Sequence, residues 1–439
     1  MAKILQQKLF RWEDVERSPE IQRLRWVLEV LPDEGLLQIL EVERKGRRDD
    51  YPLRAVWNSI LAGIVYQHGS IESLRRELLR NGELREVCGF EVAKGARAVP
   101  SKDAYSGFLK KLERHSEKMQ GMFDTLVGEL HKELPELGEH VAVDSKHLHT
   151  YARGKKDPAQ SADLEADWGT KTYRGTRKDG SLWEKRVQWF GYKVHLLVDT
   201  TYELPVGYSV SRASRADVNE LLPLVDKAQE KHFGRKIQTL CGDKAYDSQS
   251  HIEELYESHG ISPVIDICNH WRDGEETKLV DPQRADHLVY DYHGTVSCHC
   301  PVSGERREMS FGGFEKDREC LIYLCPVKPY RKRCKGFALC SQQTQGRKVR
   351  IPLHTDRRIF VPIARSSKKW KRLYKQRTAV ERVNSRLDVS FGFEQHFIRG
   401  KARMTLRVGL ALMVMLSMAL ARIQANQREH LRSLLRPAA

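Results

Sequence analysis

No apolar run in this 439-residue sequence reaches the 18 or more residues usual for a bilayer-spanning helix. The longest, Val408 to Ala421, has 14 residues between Arg407 and Arg422. It therefore reads as a buried C-terminal helix, and no membrane partner is expected. The N-terminal MAKILQQKLFRWEDVERS is mixed and polar rather than a basic stretch followed by an apolar one, so the chain is expected in the cytoplasm. Internal repeats and long low-complexity tracts are missing, which excludes solenoid architectures. Paired CxxC knuckles are missing too. The nine cysteines are an odd number, so free thiols or a metal site fit better than a disulfide framework.

One segment nearly lacks acids. From Lys328 to Arg377 there are 17 Lys and Arg against a single carboxylate, Asp356, while the remainder of the chain holds 58 residues of each sign. The formal charge of +16 therefore lies in this block. A surface this basic, with Trp370 and Tyr374 near its end, suits a polyanion, because each neutralised phosphate releases a condensed counterion. Nucleic acid is the first candidate partner, and a merely solvated basic face is the plain alternative. With 40% apolar and 31% charged residues the rest reads as soluble, globular and large enough for two or three domains.

To about Leu134 the pattern is helical. PLRAVWNSILAGIVYQHG and IESLRRELLRN carry apolar residues at three- and four-residue spacing, Ser70 is placed to cap the second, and a longer helical pattern runs from Ser101 to about His131. From His140 short β-type runs take over: HVAVDSKHL, WFGYKVHLLVDT, ELPVGYSVS, KIQTLCG and SPVIDIC, with the helical DVNELLPLVDKAQEKHF between the third and fourth. The order is β-β-β-α-β-α-β. The polar, Gly-rich stretch from Tyr151 to Lys185 reads as a mobile loop near the end of the first strand. A second interruption, Asn269 to Ser367, holds six of the nine cysteines. Helical spacing returns at KWKRLYKQRTAVERVNSRL.

Three acids stand out. Asp144 alternates against Val141 and Val143, and Asp243 follows the run ending at Leu240 and Cys241, so each carboxylate belongs at the carboxyl end of a strand, where open α/β sheets place ligands. Glu381 projects from the basic helix. Three carboxylates from separate segments can hold two hard cations that activate a nucleophile and stabilise the leaving oxygen of a phosphoryl transfer. Singly, an Asp at a strand end is more often a turn former or a surface charge, and a Glu in a basic helix is usually an ion-pair partner; it is the ordered set that points to the metal site. His147 and His149 follow Asp144, but such a site favours oxygen donors.

VAVDSKHLHT, WFGYKVHLLVD, CGDKAYDS and YKQRTAVERVNSRL occur in this order, and together they resemble DDE transposases of bacterial insertion sequences with a large insertion before the glutamate. The helical segment before residue 135 resembles the N-terminal domain of the same enzymes. The resemblance implies a ribonuclease-H-like α/β core with a mixed five-stranded sheet, an α-helical N-terminal domain and an inserted cysteine-rich subdomain. Its boundaries are 1–135 for helical DNA binding or dimerisation, 136–268 for the first part of the core, 269–367 for the insertion, and 368–439 for the catalytic-Glu helix and C-terminal helix. It assigns Asp144, Asp243 and Glu381 as catalytic ligands of two Mg2+ or Mn2+ ions, the acids lying 99 and 138 residues apart. The family's helix signature is met at Tyr374, Arg377 and Glu381, which implies phosphate contacts for the first two. Its lysine position holds Asp388, with Arg386 the nearest substitute cation. Lys193, in the GYK stretch, and Lys368, Lys369, Lys371 and Arg372 are further DNA-contact candidates.

The activity implied is cleavage of transposon ends and transfer of their 3′-OH ends into target DNA by a homodimer assembled on terminal inverted repeats, in a bacterial cytoplasm at the nucleoid. Cys298, Cys300, Cys325, Cys334 and Cys340 are dense enough for a structural zinc, or else are buried thiols. Two other functions use the same features: a domesticated, zinc-containing DNA-binding protein without catalysis, and a ribonuclease-H-like nuclease without strand transfer.

Overall fold

The computed structural model describes residues 18–44, 51–157, 160–231, 236–283, 287–300, 302–325, 327, 335–336 and 347–432. Helix α1, Pro19–Val30, starts with proline in its first turn and with Ser18 Oγ accepting from the Ile21 amide. Helices α2 (Glu34–Val42), α3 (Leu53–Val65), α4 (Ile71–Arg80) and α5 (Gly82–Cys88) follow. Ser70 caps α4 as its position predicts, accepting from Ser73 N at 3.1 Å. The long pattern after Ser101 resolves into two helices, α6 (Lys102–Arg114) and α7 (Ser116–Glu133). They part at His115, whose φ of −103° and ψ of 35° leave the helical region.

The sheet comprises β1 (His140–His149), β2 (Asp167–Thr176), β3 (Leu182–Asp199) and β4 (Pro205–Arg212), then, after helix α8 (Leu221–Lys231), β5 (Thr239–Gly242) and, after helix α9 (Gln249–Glu257), β6 (Ser262–Ile265). β3 runs antiparallel to β1, β2 and β4, whereas β5 is parallel to β1 and β6 parallel to β5. The five strands expected are all present, and there is a sixth. The segment from Tyr151 to Lys185, expected as a mobile loop, contains β2 and the start of β3, which form a two-stranded ribbon. Apolar alternation could not reveal it, because both ribbon faces are exposed and neither needs apolar residues. Cross-strand packing of Trp189 over Gly169 and Trp183 over Gly175 holds it instead, and a Cβ on either glycine would come within 3 Å of the indole. At Gly191, φ is +153° and a Cβ would meet Leu148 O at 2.2 Å, so only glycine lets β3 pass there from ribbon into core.

Between β6 and the C-terminal helices lie two small antiparallel sheets. The first has β7 (Lys278–Leu279), β8 (Leu288–Tyr290), β9 (Val296–His299) and β10 (Arg306–Glu308); the second has β11 (Ser310–Glu315), β12 (Cys320–Leu324) and β13 (Lys348–Pro352). They enclose a core of their own, including Leu288, Tyr290, Leu321, Tyr323 and Ile351. Two arginines of the basic block are buried where this region meets the main sheet. Arg358 donates to Asp247 Oδ2 at 2.8 Å, and Arg365 donates to Ile265 O at 3.1 Å. Part of the block is thus structural.

The last basic stretch forms two helices rather than the one expected: α10 (Lys368–Lys375) and α11 (Thr378–Phe391). At their junction the amides of Ala379 and Val380 reach back only three residues, to Gln376 O and Arg377 O, and Thr378 Oγ1 donates to Lys375 O. The apolar C-terminal helix, α12, spans Lys401–Gln424 and has 24 residues, not 14. It is long and apolar enough to cross a membrane, but 94% of its most apolar stretch is buried within the protein, against α1, α3, α7 and β4. It is core, not an assembly surface. One continuous hydrophobic core joins it to the N-terminal helices and the main sheet, through Trp57, Phe123, Val141, Val194 and Met413 among others.

Candidate active site

The parallel pairing of β1 with β5 sets His140, Val141 and Ala142 beside Thr239, Leu240 and Cys241. Carried on by two residues, the same register sets Asp144 beside Asp243, the residue after β5. Asp144 itself lies midway along β1 rather than at the strand end expected, because β1 runs on to His149 against β3. Each acid has one oxygen held by backbone: Asp144 Oδ1 accepts from Ser145 N at 2.8 Å, and Asp243 Oδ1 accepts from Ala245 N at 2.8 Å. Among the described residues no donor reaches the second oxygen of either. Burial, reinforced by the negative charge of Asp243, pushes the Asp144 carboxyl up to about 6, with the Ser145 amide, Lys171 and Arg377 acting the other way. A buried carboxyl held above its ordinary range beside a second acid suits a bound cation, and an all-carboxylate set suits hard ones.

Glu381 lies in the first turn of α11, half-exposed, and accepts from Arg377 Nη2 at 2.7 Å. Arg377 is also within electrostatic reach of Asp144, and its guanidinium lies 5.8 Å from the centre of the Tyr374 ring. Tyr374 stacks on Trp370 at 4.6 Å with the rings 11° from parallel. Burial raises the pKa of its hydroxyl, with Asp266 and Asp243 adding to the effect. Tyr374, in the last turn of α10, and Arg377, at the junction just before α11, thus stand beside the acids.

Asp388 lies seven residues beyond Glu381 on the same face of α11, and Lys146 lies two beyond Asp144 on the same face of β1. Lys146 Nζ donates to Asp388 Oδ2 at 2.7 Å, with Glu394 Oε1 at 3.5 Å. The cation facing Asp388 therefore comes from the strand. Arg386, the expected substitute, pairs instead with the side chain of Glu203 and donates to Glu203 O at 2.8 Å. The sequence reading missed Lys146, although an acid at a signature lysine position signals that a cation must sit opposite it.

The other candidates divide. Lys193 is held inside the protein by Asp217 Oδ1 at 2.8 Å and Arg215 O at 2.9 Å. Lys368, Lys369, Lys371 and Arg372 are exposed on α10, with no carboxylate partner among the described residues. His147 and His149 meet edge to face at 5.6 Å, and burial lowers the pKa of His147. Cys334 and Cys340 lie outside the described residues. Cys298 and Cys300 lie in and just after β9, and Cys325 just after β12, in the other small sheet. Among the described residues neither the cysteines nor the carboxylates of Asp144, Asp243 and Glu381 bring three potential ligand atoms within 4.8 Å of one another; such a group forms only at Asp247, Cys268 and His270. There Asp247 Oδ2 already accepts from Arg358 and from the Cys268 amide.

The sheet and its acids define the class: an α/β protein with one carboxylate within β1, one just past the neighbouring β5 and a third on a helix packed against β1. The sequence profile of the family described as transposase DDE domain matches residues 135–417, well over half of the chain and inclusive of all three acids. The chain belongs to the DDE transposase family. Among solved structures, the cryo-EM structure of the piggyBac transposase synaptic complex with hairpin DNA is similar at 12% identity, over 94% of this chain and 75% of that one, with a TM-score of 0.38. No curated protein sequence matches.

Proposed function

We propose that this chain is a DNA transposase that cleaves the ends of its element and joins their 3′-OH groups to target DNA. The observation that carries the reading is the parallel pairing of β1 with β5, whose register carried two residues on sets Asp144 beside Asp243, together with the packing on β1 of α11, which bears Glu381. These three acids are the ligands for two divalent ions, Mg2+ or Mn2+. When bound, such ions supply a nucleophile at neutral pH and stabilise the leaving oxygen. Everything else is positioning. Tyr374 and Arg377 hold a phosphate at the element's end, the ring fixed by its stack on Trp370 and the guanidinium offering a planar fork to the phosphate oxygens. The cations of α10 neutralise the flanking backbone.

The strand order supports a ribonuclease-H-like core, and the motif set supports an origin in a bacterial insertion sequence, which puts the enzyme in the cytoplasm at the nucleoid. A homodimer on terminal inverted repeats is the smallest assembly that processes two ends with one acid triad per chain. Asp144→Ala, Asp243→Ala and Glu381→Ala are each expected to abolish cleavage of the element's ends while leaving end binding intact. A variant that still cuts at the wild-type rate would remove its residue from the site.

A further inference from the structure

We propose that the ribbon of β2 and the first half of β3 is a duplex-DNA contact, which lies along the substrate next to the carboxylates. The inference rests on the transposase reading above and adds an element that the signature motifs do not contain. The ribbon does not bury itself against its own protein: from Thr170 to Arg186 the residues whose burial is described are exposed, apart from the half-buried Gly175. Isolated two-stranded ribbons are marginally stable in water, so a covering partner is the economical explanation for one this long.

Its chemistry selects that partner. Trp168, Tyr173 and Trp183 remain exposed, and Lys171, Arg177, Lys178, Lys185 and Arg186 have no carboxylate partner among the described residues. Tyr173 faces Lys185 across the ribbon, and Trp183 faces Gly175 two pairs further towards the tip. Aromatic rings interleaved with unneutralised cations suit a polyanion with stacked bases, and the chain's charge of +16 argues against a second copy as the occupant. The size also fits. Ten paired residues at about 3.3 Å each span roughly one turn of B-form DNA, whose major groove admits a two-stranded β-ribbon. Finally, the ribbon starts at the site: Lys171 is within electrostatic reach of both Asp144 and His147, and Trp189 lies 5.5 Å from the His147 ring.

The test uses the full chain and a 30-base-pair duplex of arbitrary sequence, followed by fluorescence anisotropy across a salt series. A Lys171→Ala/Lys178→Ala/Lys185→Ala variant should bind more weakly, with a log affinity against log salt slope shallower by about 2 to 3, since each phosphate left without its cation removes about 0.9. Tyr173→Ala/Trp183→Ala should weaken binding several-fold at fixed salt with an unchanged slope, since contacts with the groove wall are lost and no cation is removed. Cross-linking of the wild-type chain to a duplex carrying 5-iododeoxyuridine should label Tyr173 or Trp183, and this arm needs no variant to fold. Wild-type slope and affinity in the triple variant, or cross-links confined to α10, would overturn the proposal. So would unchanged DNA binding with reduced self-association in light scattering, which would make the ribbon a protein interface. A wild-type chain that binds no duplex at all would sink the transposase reading itself, and the ribbon's role with it.

Discussion

Replacing Lys146 by Met tests whether an ion pair between β1 and α11 sets the geometry of the acids. The two partners are 2.7 Å apart, with Lys146 8% and Asp388 29% exposed, and Asp388 Oδ1 is buried with no hydrogen-bond partner. Removing the lysine therefore strips the remaining oxygen of its only strong donor. Breaking a fully buried pair costs about 3–5 kcal/mol and an exposed one about 0.2–1 kcal/mol, so this partly buried pair should fall between, near 2 kcal/mol. Lys146→Met/Asp388→Leu removes both charges and should recover about 1–2 kcal/mol of the summed single losses. Urea unfolding of the wild type, the two single variants and the double variant gives that coupling directly. Cleavage should follow the same order, since the pair holds α11 along β1, and the Lys146→Asp/Asp388→Lys exchange should keep more activity than either half alone. If the single losses add to within about 0.5 kcal/mol, the two side chains are not coupled and the pair does not set the place of α11.

Asp144 has a folded pKa of about 6, above the unfolded value of about 3.9, so the metal-free folded state holds its proton more tightly and stability falls as pH rises from about 4 to 6. In EDTA, Asp144→Asn should thus exceed the wild type by on the order of 2 kcal/mol above pH 6 and match it near pH 4; identical urea midpoints at both pH values would refute this. Changing Lys368, Lys369, Lys371 and Arg372 to Ala should flatten the salt dependence of DNA binding by about 0.9 for every phosphate that no longer has its cation, and an unaltered slope would take α10 off the DNA. Gly191→Ala forces a Cβ against Leu148 O at a positive φ, so it should destabilise by about 2 kcal/mol or more, and a change below about 0.5 kcal/mol would contradict the close approach.

What the sequence made legible is what burial on one face writes into it. The strands of the main sheet, the cap at Ser70 and the place of Asp243 just past β5 all follow from alternation or local hydrogen bonding, which a single sequence carries, whereas Asp144 lies midway along β1 because that strand continues beside β3 to His149. The ribbon left no such trace, since its stability comes from indole rings lying over glycines on the opposite strand. The kink between α10 and α11 was hidden for another reason: Gln376 and Arg377 are ordinary helix formers, and only the three-residue hydrogen bonds of the turn mark the break.

Charge counted along the chain misled in a more instructive way, because a count cannot separate cations that face solvent from those that neutralise the protein's own acids. Of the block from Lys328 to Arg377, Arg358 and Arg365 are buried at the joint with the inserted sheets, Arg350 pairs with Glu315, and Arg357 with Glu257 and Glu319. The same holds for Lys193 and Arg386, each engaged by an acid from another segment. Partners distant in sequence decide each case, and they are fixed only by the fold. The cations left over, on α10 and on the ribbon, lie on two elements that both approach the acids, one through Arg377 and the other through Lys171. A substrate bound by both would pass over Asp144, whose carboxyl burial and the charge of Asp243 hold above its ordinary range.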